Sequence, residues 1–518
     1  MIDSAIQVAP SHRLIFLDAK FKPQLAEVFP RVADFQGKCV VPFDVQSVTV
    51  LRNMGHPVPS PIEFFYDWPI GPGMSPFKHQ IATAAFLVNN PRAFCLNDMG
   101  TGKTLSLYWA ADFLMLQKVV RRALIVAPLS TLHRVHGDTI FKTFIGGRRR
   151  TFAVLHGSAK LRKDLIRQDH DFYIINYDGV EVCLNTLIAK TDIDLIAFDE
   201  GALLRNSQTD RWKAMRALLN TPRKYVWSFT GTPTPNEPTD AYGQIKLVRP
   251  ENLRNIPSFR AFKDLTMTKL TAFKWAPKDD AMHIVAHHMV PSIRFARAEC
   301  IDLPPMTYTT LEVELSTQQK AAYKQLLNEY VTEIAGNKIT AVNEAVKLMR
   351  LIQVTSGVVY DTNGKHHRVD CSGRFKVLEE TIEEAPAKVL VFAPFKGDLP
   401  LIRERLEKRW SCAVVSGDTA AGERNRIFSS FESESTGPHV LIAHPECMAH
   451  GLNFISCATI VWWAPVNSNE IYQQANDRIP RPGQRRNMQI VHLSGTPVER
   501  QTYKRLESKQ GLQGILLS

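Results

Sequence analysis

The sequence predicts an α/β fold in which two parallel sheets, each built from strands alternating with helices, follow one another along the chain. From Arg92 to about Pro250, short apolar runs alternate with helix-length amphipathic segments, a pattern typical of β-α units in a parallel sheet. The same alternation resumes at Lys388. In addition, the glycine-bearing stretch CLNDMGTGKT, residues 95–104, joins the first strand to a helix, as phosphate-binding α/β domains require.

Each of the two sheets is predicted from apolar runs rich in β-branched residues. The first sheet comprises RAFCLN, ALIVAP, FAVLH, FYIIN, DLIAFD and VWSFTG, which begin at Arg92, Ala123, Phe152, Phe172, Asp194 and Val226. The second comprises KVLVFAP, CAVVSG, HVLIAH, TIVWWAP and MQIVHL, which begin at Lys388, Cys412, His439, Thr459 and Met488. Trp462 and Trp463 end a β-branched strand, so we expect them in the core rather than stacked on nucleic-acid bases.

The remaining segments divide the chain into four parts. Scattered strands (RLIFLDA, KCVVPF), followed by a proline-rich linker segment, predict a small accessory α+β module in residues 1–70. Residues 71–250 form the first α/β domain, 251–370 a helical insertion and bridge, and 371–518 the second α/β domain. Two helices are predicted in the bridge, STQQKAAYKQLLNEYVTEIAG and TAVNEAVKLMRLIQVTSG. The histidines of MHIVAHH (residues 282–288) are expected in a β-like apolar stretch, as packing or surface groups rather than metal ligands.

Length and composition indicate a multi-domain globular protein with an anionic partner. The chain has 518 residues, and 63 Lys and Arg against 51 Asp and Glu give a net charge of +12. This excess favours nucleic acid, although its spread over short clusters such as Arg148–Arg150 is also explained by solvated surface. No C-x-x-C pair, apolar leader or bilayer-length apolar run is present. We therefore expect reduced cysteines, a cytoplasmic location and no membrane association.

The turn between the first strand and its helix has the residues of a phosphate site. Gly100 and Gly102 let the backbone wrap phosphate closely, Lys103 supplies an ammonium, and the Thr104 hydroxyl is placed to hold Mg²⁺. Asn97 stands where the usual pattern has its first glycine, but at the strand exit less room is needed. The alternative is an ordinary glycine-rich turn with a solvated lysine.

A pair of acids downstream favours the phosphate site. DLIAFDEGALLRN ends a strand in Asp199 and Glu200, at the carboxyl edge of the sheet where ligands bind. Asp199 can hold Mg²⁺ through water, and Glu200 can polarise the attacking water. Together with the lysine loop, this pair predicts a nucleoside triphosphatase.

The order of these motifs resembles the Snf-type branch of the superfamily-two helicases and translocases. SPFKHQ with Gln80 is similar to its adenine-reading glutamine motif, LNDMGTGKT to its DEMGxGKT loop, DEGALLRN to its DEAHxxKN motif and FTGTPTPN to its LTGTPxxN motif. Motifs that come later in the family pattern are matched by LMRLIQVTSG, ECMAHGLNF and QQANDRIPRPGQ. The resemblance extends from about Pro76 to Gln510. It implies two RecA-like domains in tandem, with ATP bound by Gln80, Met99, Gly100, Thr101, Gly102, Lys103 and Thr104.

The resemblance also implies a catalytic role for two arginines of the second domain. Arg478 and Arg481 would act as arginine fingers beside Lys103 and Glu200, and their three-residue spacing would put both guanidiniums on one helix face. The alternative for both is a solvated basic helix beside Arg485.

Small polar residues in the motifs are candidates for contact with nucleic-acid phosphates. They are Ser130, Asn176, Thr230 and Asn453, which could instead simply cap turns. Departures from the family pattern occur at Ala202, where histidine is usual, at Cys447-Met448-Ala449, and at Pro480. We expect these departures to alter coupling rather than to abolish catalysis.

The resemblance implies a magnesium- and ATP-dependent motor on double-stranded or branched DNA. We expect a monomeric DNA-dependent ATPase and translocase whose sequence motifs are closer to those of compact bacterial or phage members than to those of large remodellers. Its affinity for DNA should fall as the salt concentration rises. One alternative is a fork-remodelling or annealing helicase. An alternative from another class is a non-motor nucleic-acid clamp with a degraded ATP site.

Overall fold

The computed structural model describes residues 6–29, 32–70, 75–144, 150–271, 275–300, 304–335, 341–360, 366–433, 437–448, 452–481 and 483–516. Contacts within the chain divide it into two compact units. The first unit comprises Met1–Pro233, Thr239–Leu265 and Ile284–Cys300, and the second comprises Thr234–Pro238, Thr266–His283 and Ile301–Ser518.

The N-terminal part of the first unit is a small antiparallel sheet with three helices. Its elements are β1 (Ile6–Ala9), β2 (Leu14–Asp18), α1 (Lys22–Val28), β3 (Ala33–Phe35), β4 (Lys38–Pro42), α2 (Val45–Asn53) and α3 (Ile62–Phe65). The strand order is β1-β2-β4-β3. Alternate residues of β2, Ile15 and Leu17, are fully buried, because side chains along a strand point to opposite faces. The expected accessory α+β module is confirmed.

A parallel sheet follows, with helices between its strands. In chain order, the elements of this stretch are α4 (Lys78–Asn89), β5 (Arg92–Cys95), α5 (Lys103–Leu116), β6 (Arg122–Ala127), α6 (Asp138–Thr143), β7 (Phe152–Leu155), α7 (Ala159–Arg167), β8 (Phe172–Asn176), α8 (Tyr177–Ala189), β9 (Ile193–Asp199), α9 (Asp210–Leu219), β10 (Tyr225–Phe229), α10 (Ala241–Val248), α11 (Phe259–Thr266), β11 (Met267–Lys269), β12 (Trp275–Pro277), α12 (Ala281–His288), β13 (Ser292–Ile293) and α13 (Arg297–Cys300). Strands β11 and β12 are not part of this sheet: they form a separate antiparallel pair that belongs to the second unit.

The strand order of this sheet is β13-β5-β10-β9-β6-β8-β7, and every pairing in it is parallel. All six predicted strands are present. The edge strand β13 was not anticipated, because two residues are too short to show alternation. Backbone bonds extend its pairing: Phe94 N donates to Pro291 O, Leu96 N to Ile293 O and Asp98 N to Phe295 O.

The second unit contains another parallel sheet. Its elements are β14 (Met306–Glu312), α14 (Thr317–Ala335), α15 (Ala341–Ser356), β15 (Val358–Tyr360), β16 (His366–Arg368), α16 (Ser372–Glu384), β17 (Lys388–Phe392), α17 (Asp398–Leu406), β18 (Cys412–Val415), α18 (Ala421–Glu432), β19 (Val440–Ala443), β20 (Cys457–Trp462), α19 (Asn469–Asn476), β21 (Met488–Ser494) and α20 (Pro497–Leu516).

The order of the second sheet is β14-β21-β20-β17-β19-β18, again parallel throughout. The five predicted strands and the two predicted helices, α14 and α15, are confirmed. Trp462 and Trp463 are fully buried, on opposite faces of the sheet, in two separate apolar clusters. They are core residues, as expected. The fold class is therefore α/β, with two parallel-sheet domains in tandem and an accessory α+β module.

One local expectation is wrong: the MHIVAHH segment is helical, within α12, rather than β-like. The physical reason is visible in the burial pattern. Ala281, Val285 and Met289 lie four residues apart and are all fully buried, which is the spacing of one helix face. The four-part division at residues 70, 250 and 370 stays a prediction. Within the described residues, no helix combines the length and apolar character needed to cross a bilayer.

Candidate nucleotide site at the carboxyl edge of the first sheet

Three neighbouring strands of the first sheet end in register at one edge. Phe229, at the end of β10, pairs with Cys95 at the end of β5 and with Asp199 at the end of β9. Carboxyl ends of parallel strands are where ligands bind in open α/β sheets. The loop after β5, the acids of β9 and the turn after β10 are therefore brought together, as the sequence predicted.

The loop after β5 has the backbone of a phosphate cradle. Gly100 and Gly102 have φ of 86° and 81°, in the left-handed region that favours glycine. A Cβ on Gly102 would also overlap Nε2 of Gln80. Lys103 opens α5, a helix of 14 residues, so its N-terminal amides and dipole face the loop. These features fit an anionic phosphate ligand.

Lys103 and Asn97 hold the shape of this loop. Lys103 Nζ donates to the carbonyl oxygen of Asn97 at 2.7 Å. The Asn97 amide, almost fully buried, donates from Nδ2 to Thr83 Oγ1 at 2.8 Å and accepts at Oδ1 from Phe295 N at 2.9 Å. Asn97 thus connects the loop to α4 on one side and to the segment between β13 and α13 on the other.

Gln80 lies on α4 against the same loop. Its Nε2 donates to the carbonyl oxygen of Thr101 at 3.3 Å, and its Oε1 accepts from Phe77 N at 3.1 Å. The neighbouring His79 ring also contacts Thr101 O, at 2.8 Å, and stacks on Phe77. The Phe77 ring is 46% exposed. An aromatic face and the predicted adenine-reading glutamine therefore lie beside the cradle.

The acidic pair at the end of β9 is held by several side chains. The Asp199 side chain is 21% exposed, and its Oδ2 contacts Nε2 of His136 at 3.0 Å. Tyr177 Oη donates to the Asp199 carbonyl oxygen at 2.8 Å. Glu200 is buried and has φ 58° and ψ 55°, an uncommon backbone conformation for a residue other than glycine. Strain of this kind concentrates at functional sites.

The turn after β10 links the acids to the phosphate cradle. Thr230 Oγ1 donates to Glu200 Oε1 at 2.9 Å. A Cβ on Gly231 would lie 3.3 Å from Met99 N and 3.4 Å from Lys103 Nζ, so this turn runs directly past the loop. Although Ala202 replaces the family's histidine, the Thr230 hydroxyl provides a contact between the acids and the FTGTP segment.

The residues predicted to contact nucleic acid lie in different surroundings. Asn176 is half-buried at the end of β8, and its Oδ1 accepts from Arg162 Nη1 at 3.3 Å. Thr230 is buried against Glu200, and Asn453, in the second unit, is exposed. Ser130 belongs to the turn Leu129–Thr131, but its side chain lies outside the described residues. Ala449, one of the residues that depart from the family pattern, also lies outside them. Contact of the four candidate residues with nucleic acid stays a prediction.

The expectation that Arg478 and Arg481 share a helix face is wrong. Helix α19 ends at Asn476; Arg478 lies in the turn that follows, and Arg481 lies beyond it without regular secondary structure. Pro480 explains this, because the residue before a proline is disfavoured in helical conformation and proline itself cannot continue the hydrogen-bond ladder. Neither arginine is solvated: Arg478 is fully buried and Arg481 is 8% exposed. The alternative of a solvated basic helix is therefore excluded.

Sequence reasoning missed two side chains of the first unit that approach the acids, His136 and Tyr177. His136 lies in the turn Leu132–Gly137, where the only nearby signal was the APLSTL motif, and Tyr177 precedes an acid in the NYD motif. Neither residue type marks a phosphate site by itself. Their importance comes from contacts with Asp199, which the sequence does not show.

Comparison with known families agrees with this geometry. The SNF2-related domain model matches residues 79–357, more than half of the chain, and the helicase conserved C-terminal domain model matches residues 373–483. The chain belongs to the SNF2 family. The two matched ranges thus include the loop, the acids and the arginines described above, and every strand of the two sheets except β21, Met488–Ser494.

Among relatives of this SNF2 protein, protein p41 of Acyrthosiphon pisum secondary endosymbiont phage 1 is 26% identical over 85% of this chain and 97% of its own length. The DNA repair and recombination protein RAD54 of Oryza sativa subsp. japonica is 23% identical over 81% of this chain, which spans only 48% of that protein. The solved Sulfolobus solfataricus SWI2/SNF2 ATPase core in complex with dsDNA is 21% identical, aligned over 86% of this chain and 93% of that one, with a TM-score of 0.41.

Proposed function

We propose that this SNF2-family protein is an ATP-dependent translocase on double-stranded DNA. The observation that carries the proposal is the convergence of Lys103, the Asp199-Glu200 pair and Thr230 at the ends of three adjacent strands. A lysine cradle and an acidic pair are the parts that phosphoryl transfer from a triphosphate needs. The name of a relative, a DNA repair and recombination protein, supports DNA as the partner.

The residues of the first unit have separable roles in this proposal. The loop amides and Lys103 bind the triphosphate, with Met99, Gly100, Thr101 and Gly102 as its backbone and Gln80 at the adenine. Thr104 and Asp199 hold Mg²⁺, which supplies charge neutralisation at the β- and γ-phosphates when it is bound. Glu200 accepts a proton from the attacking water, and Thr230 keeps its carboxylate in place.

We infer that Arg478 and Arg481 of the second unit complete the site at the γ-phosphate. Guanidinium groups withdrawn from bulk water stabilise transition-state charge more strongly than solvated ones. Hydrolysis would then depend on both domains, and repeated opening and closing would move the protein along a DNA strand. Ser130, Asn176, Thr230 and Asn453 are the proposed phosphate contacts. We place the monomeric motor in the cytoplasm of a bacterial or phage-infected cell, a context supported by the phage relative.

Replacing the lysine and the catalytic glutamate separates turnover from DNA binding. Lys103→Ala and Glu200→Gln should each reduce DNA-stimulated ATP hydrolysis at least about 100-fold. The first removes the ammonium that binds the phosphates, and the second removes the carboxylate that accepts a proton from the attacking water. Duplex binding, measured by fluorescence anisotropy, should stay within about two-fold. The matched controls are Lys213→Ala and Glu27→Gln, both at exposed helix positions of the same unit, which should hydrolyse ATP at the wild-type rate.

Displacement of a third strand from duplex DNA by the wild-type protein tests movement itself. ATP-dependent displacement that is absent in Glu200→Gln supports translocation without strand separation. Regression of labelled forks in place of triplex displacement would indicate a fork-remodelling enzyme. DNA binding without any ATP turnover would indicate a non-motor clamp, and undiminished turnover by Lys103→Ala would remove the assignment of the site.

A further inference from the structure

A buried chain of hydrogen bonds reaches the acidic pair from behind. Tyr108 Oη lies 3.0 Å from Nδ1 of His136, and Nε2 of His136 lies 3.0 Å from Oδ2 of Asp199. The tyrosine and the histidine are both fully buried. The three side chains come from α5, from the turn after β6 and from β9, so the chain joins three separate elements of the first unit.

Only one arrangement of protons lets a neutral His136 make both bonds. The Asp199 carboxylate can only accept, so Nε2 of His136 must carry the hydrogen and donate it. Nδ1 is then the acceptor, and the Tyr108 hydroxyl donates to it. Burial, together with the charge of Asp199, holds the pKa of Tyr108 well above its usual value, so the hydroxyl keeps its proton.

This chain connects the two residues that are proposed to hold Mg²⁺. Thr104 and Tyr108 are four residues apart on α5 and therefore share one face of that helix. His136 lies in a wide helical turn, Leu132–Gly137, that follows β6, the neighbour of β9 in the sheet. Wide turns of this type occur frequently at functional sites.

We propose that His136 is a positioning residue of the magnesium site, which fixes the Asp199 carboxylate relative to the helix that carries Thr104. The inference rests on the proposed ATPase function. Side chains that orient a metal-binding carboxylate in this way typically change metal affinity or activity by about 10- to 100-fold when they are removed. His136 itself touches neither nucleotide nor metal, so its removal should act through Asp199.

Four variants of the full-length protein separate this role from simple packing. His136→Gln keeps an amide donor near the Nε2 position, His136→Asn places one near Nδ1 and His136→Leu has none. Tyr108→Phe removes only the hydroxyl that fixes the histidine. The probe is a fluorescent ADP, whose binding is titrated against Mg²⁺ and compared with its binding in EDTA. ATP turnover against Mg²⁺ is a second readout, and thermal unfolding reports the stability of each variant.

We expect the Mg²⁺ midpoint to rise about 10-fold or more in His136→Leu and His136→Asn, and to stay within about two-fold of wild type in His136→Gln. Binding in EDTA should change less than two-fold in all of them. Tyr108→Phe should raise the midpoint about three-fold, and it decides the matter if the leucine variant does not fold. A packing role predicts equal behaviour of the glutamine and asparagine variants.

A matched control is available in the second unit. His492 is also fully buried and bonded to a tyrosine, Tyr472 Oη, at 2.8 Å. His492→Leu should lower the melting temperature without moving the Mg²⁺ midpoint. An unchanged midpoint in both His136→Leu and Tyr108→Phe would overturn the role of His136. If the wild-type protein showed no Mg²⁺-dependent ADP binding, the proposed ATPase function would fail instead.

Discussion

Asn97 lies at the residue where phosphate-binding loops usually have their first glycine, and it stabilises the loop through its side chain. Its side-chain amide forms hydrogen bonds with α4 and with the segment between β13 and α13, while its carbonyl oxygen accepts from Lys103. A glycine there would leave the Thr83 hydroxyl and the Phe295 amide without this partner. Asn97 therefore replaces the usual glycine with a residue whose side chain makes stabilising hydrogen bonds, and the two glycines of the cradle, Gly100 and Gly102, are kept.

Thr230 offers a test at the scale of a single hydroxyl. Thr230→Val should lower the maximal rate of ATP hydrolysis about 10-fold or more, because Glu200 loses the hydrogen bond that orients it. Thr230→Ser keeps the hydroxyl and should retain most of the rate. Steady-state hydrolysis at saturating DNA measures both variants.

The same variants distinguish orientation of Glu200 from contact with DNA. If the hydroxyl acts mainly on Glu200, the DNA concentration for half-maximal stimulation should stay unchanged. A large rise in that concentration at an unchanged maximal rate would instead favour a DNA contact for Thr230.

Individual site residues were predictable where the chemistry is local in the sequence. Lys103 and Thr104 follow their glycines directly, and Asp199 and Glu200 are adjacent at a strand end. The supporting contacts were not predictable, because they join residues far apart: 30 positions from Glu200 to Thr230, 63 from His136 to Asp199 and 198 from Asn97 to Phe295. No periodicity or motif encodes such pairs.

At the scale of elements, helix α10 packs unusually closely against the chain that follows the acids. A Cβ on Gly243, in the first turn of α10, would overlap the backbone oxygens of Leu204 and Arg205. Backbone atoms cannot move aside as a flexible side chain can. The segment after Asp199 and Glu200 is therefore held in position by a helix that approaches it at backbone distance.

Two glycine-to-alanine changes in helices should have opposite effects. Gly243→Ala should reduce the free energy of unfolding by about 1–3 kcal/mol, since the helix must shift away from the turn. Gly422→Ala, near the start of α18, meets nothing within 4 Å and should raise that free energy by up to about 1 kcal/mol. Urea denaturation monitored by circular dichroism measures both changes.

Stabilisation by Gly243→Ala would show that α10 does not constrain the turn. Equal changes in the free energy of unfolding for Gly243→Ala and Gly422→Ala would show that helix propensity alone determines both changes. A slower ATPase rate in a folded Gly243→Ala variant is expected as well, since the displaced turn follows Glu200 directly.

Most elements were predictable from their apolar runs, and the exceptions have physical causes. All residues of strand β14 are exposed or half-buried, so no apolar run marks it. Helix α12 contains the β-branched Ile284 and Val285, which favour a strand, but the four-residue spacing of the buried Ala281 and Val285 fits a helix face. The end of α19 at Asn476 follows from Pro480, which the three-residue arginine spacing obscured.

At the scale of the whole molecule, the proposal requires residues of both units to act on one triphosphate. The family models match residues 79–357, which include the loop and the acids, and residues 373–483, which include both arginines. The chain spans nearly all of the phage relative but about half of the RAD54 relative.

An arginine of the second unit tests the dependence of hydrolysis on both domains. Arg478→Ala should leave binding of fluorescent ATP analogue within several-fold and reduce hydrolysis about 10³-fold or more, as expected for a guanidinium that acts only in the transition state. Arg485→Ala, an exposed neighbour, is the control and should hydrolyse ATP normally. Circular dichroism verifies that the Arg478→Ala protein is folded, since this variant removes a buried side chain. A folded Arg478→Ala protein that cycles at full rate would contradict the finger role.

The pairing of β13 with β5 has a practical consequence for anyone who isolates the nucleotide-binding half. A fragment that stops near residue 250 would omit Ser292 and Ile293 and expose the open side of the strand that leads into the lysine loop. Unpaired strand edges invite association between copies. A recombinant fragment that continues to residue 300, with its own solubility tag, would keep the outermost strand and the Phe295 amide that Asn97 binds.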